Sequence, residues 1–172
     1  NEIVDHMNFL MMAAHDTLTS SMTTMIHELA QHNEWQDTLR QECRSVGLSP
    51  NLLPYDKLDD LQMMEWAFKE TLRLNPPVPM IPRRTIRDVE FGGYKIPANT
   101  SITISPGHTH KMEEIWTNPE NFEPDRFSDQ RAEDRKHRFS WVPFGGGSHM
   151  CIGLHFAYMQ MKVFMYQLMM KY

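Results

Sequence analysis

A single cysteine closes a glycine-rich loop in Phe144-Gly-Gly-Gly-Ser-His-Met-Cys151-Ile-Gly153, just before a stretch with helical periodicity. Glycines let a backbone approach a bulky group closely and turn amide N–H groups toward it. The start of a helix adds partial positive charge, which suits an anionic sulfur. The chemistry this setting favours is a thiolate bound to a metal. The second cysteine, Cys43, is distant and has no paired spacing, which argues against zinc. No lysine follows the glycines and Met150 breaks any G-x-G-x-x-G reading, which argues against a phosphate cradle.

Three other segments bear chemistry. Ala13-Ala14-His15-Asp16-Thr17 places an acid beside a hydroxyl inside a helical stretch. A hydroxyl that competes for a backbone carbonyl can open a helix. Glu70-Thr-Leu-Arg73 is an i,i+3 ion pair on a helix. Phe122-Glu-Pro-Asp-Arg126-Phe127 carries a second arginine downstream of it.

In this order the segments resemble the cytochrome P450 family. Phe144, Gly147, His149, Cys151 and Gly153 fall on its haem-ligand signature, F-x-x-G-x-[RH]-x-C-x-G. The resemblance implies that Cys151 is the proximal iron ligand and that Phe144, Gly145, His149 and Gly153 cradle haem b, iron protoporphyrin IX. Residues 13–17 resemble the oxygen-binding segment [AG]-G-x-[DE]-T, where the family widens the helix beside the iron. It implies Ala13 and Ala14 at the haem and Asp16 and Thr17 in proton delivery; Ala14 in place of the usual glycine implies a narrower groove. Glu70, Arg73 and Arg126 match the family's buried ion-pair network, a structural lock on the cysteine loop, with Asp125 standing for the usual glutamate. Arg83, with Arg84 in reserve, matches the arginine that pairs with a haem propionate. His110-Lys-Met-Glu-Glu-Ile-Trp116 resembles an H-R-D-P-x-x-W segment, which gives His110 a propionate too, although Met112 and Glu113 depart from the pattern. His149 is the third such partner.

The elements that must hold these residues follow from breakers and periodicity. All eight glycines and eleven prolines lie between Gly47 and Gly153. Ile3, Met7, Leu10, Met11, Ala14, Leu18, Met22, Met25, Ile26 and Leu29 recur at helical spacing and predict one long helix over residues 2–32. A second helix over 34–46 ends at a Gly47 cap. A third, over 59–74, starts at Asp59 or Asp60 and stops before Pro76-Pro77. Short β-branched runs predict a small antiparallel sheet over 84–105. Residues 106–150 read as a long functional loop region. A last helix over 152–171 sets Ile152, Phe156, Met159, Val163, Tyr166 and Met170 on one side. The fold class is mainly α with a small antiparallel sheet (α+β), the C-terminal part of the P450 fold, as a single partial domain over 1–172.

Composition narrows the function. The chain has 172 residues, 41% hydrophobic and 23% charged, with net charge −5. That is globular, and it offers no basic excess for nucleic acid. The apolar run Phe9–Ala14 is far shorter than the ~20 residues of a membrane span. Two cysteines make no disulfide framework, so a reducing compartment, cytoplasmic or cytoplasm-facing, is expected. Cys43 reads as a buried small hydrophobe and most of the fifteen methionines as packing filler. Arg131-Ala-Glu-Asp-Arg-Lys-His-Arg138 is locally basic: a solvated loop, or a dock for an acidic electron donor.

The resemblance implies a haem-thiolate monooxygenase that inserts one atom of dioxygen into a lipophilic substrate. Val78–Pro82, Leu10, Met11 and Ala14 would line its pocket. Electrons would come from NAD(P)H through a ferredoxin or flavoprotein reductase. A haem-thiolate isomerase or peroxygenase, and a non-enzymatic haem module, are the rival readings. Residues 152–162 are similar in style to sterol 14-demethylases and their bacterial relatives. The start at Asn1, inside a helix, points to a fragment that is inactive by itself.

Overall fold

The computed structural model describes residues 1–46, 49 and 53–172; Gly47, expected as a cap, lies outside them. Helix α1 (Glu2–Gln31) runs without interruption, started by the Asn1 side chain, which accepts from the Ile3 N–H at 3.3 Å. Only its C-terminal half meets the core, through Ser21, Met25 and Leu29; Ile3, Met7, Leu10 and Met11 are exposed. Helix α2 (Asn33–Val46) turns back across it and buries Leu39 and Cys43.

Helix α3 (Gln62–Leu74) is buried along most of its length. Its start corrects the expected cap. Asp59 and Asp60 belong to the preceding 3₁₀ turn, Tyr55–Asp60, where Asp60 pairs with Lys57 at 3.0 Å. The free N–H groups of Met63 and Met64 donate instead to the two carboxylate oxygens of Glu42 on α2, at 2.6 and 2.9 Å. An orphan helix terminus needs an acceptor, and here a neighbouring helix supplies it.

The expected single sheet is two separate ribbons. Strands β1 (Ile81–Arg84) and β4 (Ser101–Ile104) pair antiparallel, and β2 (Val89–Phe91) with β3 (Tyr94–Ile96) forms a hairpin between them. Gly92 and Gly93 take the positive φ values that a two-residue hairpin turn demands. A single turn of helix, α4 (Pro106–Thr109), opens the long loop region, which holds only short 3₁₀ turns.

Helix α5 (Leu154–Lys171) closes the core. Its buried face is Met161, Lys162, Met165, Tyr166 and Met169, which shares only Tyr166 with the stripe expected from periodicity. The helix is apolar nearly all round, so periodicity alone does not select a face. Met25, Met64, Met161, Met165 and Met169 fill the core where α1, α2, α3 and α5 meet. The described residues are thus mainly helical with small antiparallel ribbons. No helix among them is long and apolar enough to cross a membrane.

Candidate functional site

Helix α3 presents Glu70 and Arg73 on one face, where i and i+3 meet. Both side chains are fully buried, as is Arg126. Glu70 accepts from Arg73 Nε at 2.7 Å and Nη2 at 2.9 Å, from Arg126 Nε at 2.9 Å and from the Glu123 N–H at 2.9 Å. Arg73 also donates to the carbonyls of His110, Pro119 and Asn121 at 2.7, 2.7 and 3.1 Å. Arg126 reaches the Thr117 carbonyl at 2.8 Å and Glu133 at 2.9 Å. Every charge in this network is paired and hydrogen-bonded, the condition for tolerating charge in an interior. Trp116 packs under both guanidinium groups, 5.3 and 6.0 Å from its ring centroid.

Glu133, 4% exposed, is a member of this network that the sequence reading passed over. It lies inside the run read as a basic surface. There Arg131 is held by Glu123, Asp125 and Glu133 at 2.9, 3.0 and 2.7 Å. Arg135 pairs with Asp129 at 2.9 Å and Lys136 donates to the Ile115 carbonyl at 2.5 Å. Arg131, Arg135 and Lys136 are thus each engaged within the chain, and the Arg138 guanidinium lies 4.5 Å from the centroid of the Phe139 ring. Burial opposes the charge on Glu133, but the Thr117 N–H that it accepts at 3.0 Å, together with the guanidinium groups of Arg131 and Arg126, holds its carboxyl below the ordinary range.

The cysteine loop hangs from this assembly at two adjacent residues. Trp141 Nε1 donates to the Lys69 carbonyl at 3.1 Å. The Val142 N–H donates to His110 Nε2 at 2.9 Å. Within the loop, Gly145 donates to the Val142 carbonyl at 3.0 Å and Cys151 to the Phe144 carbonyl at 2.9 Å. Gly145 and Gly147 have φ of +73° and +69°, the left-handed region that side chains resist. The loop folds back on itself and leaves the Cys151 thiol exposed.

That thiol opens into a cavity of about 560 Å³ between the loop and α1. The helix contributes Leu10, Ala13, Ala14, Thr17, Leu18 and Ser21, one stripe at i, i+3, i+4, i+7 spacing. Facing it are Phe144, Gly145, His149, Cys151 and Gly153. In β1, side chains alternate between faces. Ile81 and Arg83 therefore reach the wall together, while Arg84 points away and donates to Asn99 at 3.1 Å. Of the expected pocket-lining residues, Leu10, Ala14, Val78 and Ile81 are on the wall; Pro79, Met80 and Pro82 are not, nor is Met11, which is 70% exposed.

Two expected site residues stand elsewhere. Asp16 lies off the stripe and, exposed, meets the His15 ring at 2.8 Å. Thr17 is on the wall, and its hydroxyl donates to the Ala13 carbonyl at 2.7 Å. That is the bond that could open the helix, yet α1 keeps regular helical form through this point. His110 is fully buried beneath the loop and absent from the wall, which corrects its expected place at a propionate. Burial, reinforced by the Arg73 charge, lowers its pKa to about 4, so the ring is neutral at ordinary pH.

The residues present fit a haem. A thiol faces the cavity, glycines keep the loop close without side chains, the helix wall is mostly apolar, and Arg83 and His149 can meet carboxylates at the edge. Among the described residues no group of three or more His, Cys, Asp or Glu side chains is gathered to hold a metal ion. A single thiolate ligand is the form of metal binding these residues suit.

Comparison with known proteins agrees with this geometry. The family model described as Cytochrome P450 matches residues 1–172. A protein of Mycobacterium tuberculosis named for cytochrome P450 136 is 43% identical over 171 residues, covering 99% of this chain and 34% of its own. The sterol 14alpha-demethylase of Mycolicibacterium vanbaalenii is 33% identical over 172 residues, covering 100% of this chain and 38% of its own. The solved structure of retinoic acid bound cyanobacterial CYP120A1 superimposes with a TM-score of 0.87 at 32% identity, covering 94% of this chain and 36% of that one. The chain spans about a third of the length of these relatives. Loop, ion-pair lock, helix stripe and family match converge, and the chain belongs to the cytochrome P450 family.

Proposed function

We propose that this chain supplies the haem-thiolate centre of a monooxygenase that inserts one atom of dioxygen into a lipophilic substrate. One observation carries the reading: the exposed Cys151 thiol faces the Ala13–Thr17 stripe of α1 across a mostly apolar cavity. Haem b, when bound, would supply the oxygen chemistry itself, with electron density donated to its iron by the thiolate. Cys151 would bind the iron, and Phe144, Gly145 and Gly153 beside it would form the near wall of the haem site. Arg83 and His149, both on the cavity wall, would meet its carboxylates, a contact a guanidinium group suits. Thr17 holds a proton at its hydroxyl on the cavity wall, and Asp16 exchanges protons with solvent one residue away. Apolar walls exclude water and select lipophilic substrates.

Electrons come from NAD(P)H through a ferredoxin or flavoprotein reductase. Both described cysteines are free thiols, which suits the cytoplasm or a face exposed to it.

The test is the spectrum of the reduced, carbon-monoxide-bound form of the full-length protein. A thiolate-type shift, lost in Cys151→Ala, is expected. Its absence in the native protein refutes the assignment. With a donor system, oxygen uptake driven by NAD(P)H and coupled to product separates the monooxygenase from an isomerase or a bare haem module.

A further inference from the structure

We propose that His110 is a positioning residue for the Cys151 loop, coupling it to the buried ion-pair network through the hydrogen bond that its ring accepts from the Val142 amide. The inference rests on the haem-thiolate reading for its functional meaning, but the coupling can be tested in the protein freed of haem.

His110 faces two ways. Its backbone carbonyl accepts from Arg73 Nη1 at 2.7 Å, inside the network. Its ring Nε2 lies 2.9 Å from the Val142 nitrogen, at the root of the cysteine loop. From there the bonds continue: Gly145 donates to the Val142 carbonyl, and Cys151 to the carbonyl of Phe144. A displacement of His110 therefore moves the loop at its base, nine residues before the ligand.

The ring chemistry makes this bond specific. Nε2 can accept the Val142 N–H only through its lone pair, so the ring proton sits on Nδ1. Nδ1 is buried and has no partner among the described residues. A buried orphan donor costs free energy, and a packing role would be met by an aromatic without that cost. The acceptor at Nε2 is what a histidine adds here. The second tether, from Trp141 to the Lys69 carbonyl, ties the loop to the backbone of α3 and not to the ion-pair network.

The experiment compares His110→Leu, His110→Gln and His110→Asn in the full-length protein. Gln Oε1 stands near the place of Nε2, whereas Asn Oδ1 falls short of it. Amide hydrogen exchange is read with haem removed. In His110→Leu, exchange at Val142 and Cys151 should rise about ten- to a hundredfold, the size expected for one lost buried hydrogen bond, with α3 amides unchanged. Gln should restore protection and Asn should not. In the carbon-monoxide spectrum of the loaded protein, the thiolate-ligated fraction should fall in Leu and Asn and recover in Gln.

Unchanged exchange in Leu, or equal behaviour of Gln and Asn, overturns the proposal. Loosening spread equally over α3 and the loop would also overturn it, by showing a general packing role. If Leu does not fold, the contrast between Gln and Asn still decides. A native protein without a thiolate-type spectrum refutes the haem-thiolate reading instead, and the exchange result stands apart from it.

Discussion

Glu70 and Arg126, separated by 56 positions, meet at 2.9 Å with both side chains fully buried. The same carboxylate holds Arg73 at 2.7 Å. Arg73 and Arg126 in turn bind five backbone carbonyls of residues 110–121, so one carboxylate fixes the loop that lies over α3. Glu70→Gln keeps the shape but leaves two buried guanidinium groups short of negative charge. Breaking a buried pair in this way costs about 3–5 kcal/mol. Urea denaturation of the full-length protein should show that loss in the midpoint, with a matching fall in haem retention. Arg126→Lys should fail as well, because an ammonium cannot reproduce the guanidinium fork. A midpoint unchanged in Glu70→Gln would show that the network is not structural.

His110 should make the protein sensitive to mild acid. Its pKa is near 4 when folded against an ordinary 6.5, lowered by burial and then by Arg73. The folded ring therefore resists a proton that the unfolded ring accepts. Stability from this group is fully present above pH ~6.5 and is lost as pH falls toward 4, to a total of about 3 kcal/mol. The observable is the difference in urea midpoint between pH 7 and pH 4.5. His110→Gln should shrink that difference by most of this amount. Equal pH slopes in the two proteins would contradict the prediction.

What the sequence made legible was local. Phe144, Gly147, His149, Cys151 and Gly153 form a contiguous pattern, and Glu70 with Arg73 is one helical turn, so fixed spacing carried them. The misses were matters of register or distant contact. Order and spacing favour Arg83 over Arg84, and the register of β1, which sets Ile81 and Arg83 on one face, supplies the physical reason. Asp16 follows from helix geometry, since it lies off the stripe formed by Ala13, Ala14 and Thr17. The role of His110 depends on Val142, 32 positions away, and no local pattern marks that contact. Glu133 was hidden because its neighbours in sequence are basic, while its partners Arg126 and Arg131 come together only in the folded loop.

Glu42 should matter as much to α3 as to its own helix. It accepts from Met63 and Met64 at the exposed start of α3. Burial raises its pKa above the ordinary value, and these N–H groups oppose that shift. Glu42→Ala removes both acceptors and should cost about 1–2 kcal/mol, in the range of a lost helix cap. Glu42→Gln retains one oxygen and should cost less. Thermal unfolding distinguishes the two, and identical values for native and alanine proteins would remove Glu42 from this role.

The loop glycines separate backbone strain from crowding. At Gly147 φ is +69° and an added Cβ meets nothing within 4 Å. Gly147→Ala should therefore show the left-handed backbone penalty alone, about 1–2 kcal/mol. At Gly146 the backbone is extended, with φ of −166°, but a Cβ would stand 3.2 Å from the Phe139 ring. Gly146→Ala should be milder where that ring can shift, and combining it with Phe139→Leu should relieve the effect. No relief in the double variant would rule out the ring as its cause.

The two thiols should differ sharply in reactivity when haem is absent. Cys151 is exposed at the cavity, whereas Cys43 is fully buried. Burial, reinforced by Glu42, pushes the Cys43 thiol up to about 12. The thiolate is the attacking form, so raising the pKa from 9 to about 12 reduces its population roughly a thousandfold at neutral pH, before access is considered. Native apoprotein treated with iodoacetamide and digested should carry the label on Cys151, and Cys43 should react only after denaturant is added. Loading with haem should then protect Cys151, because its sulfur would be bound to iron at the floor of the cavity. Label on Cys151 that is indifferent to haem would separate this thiol from the cofactor, even where the protein still binds haem.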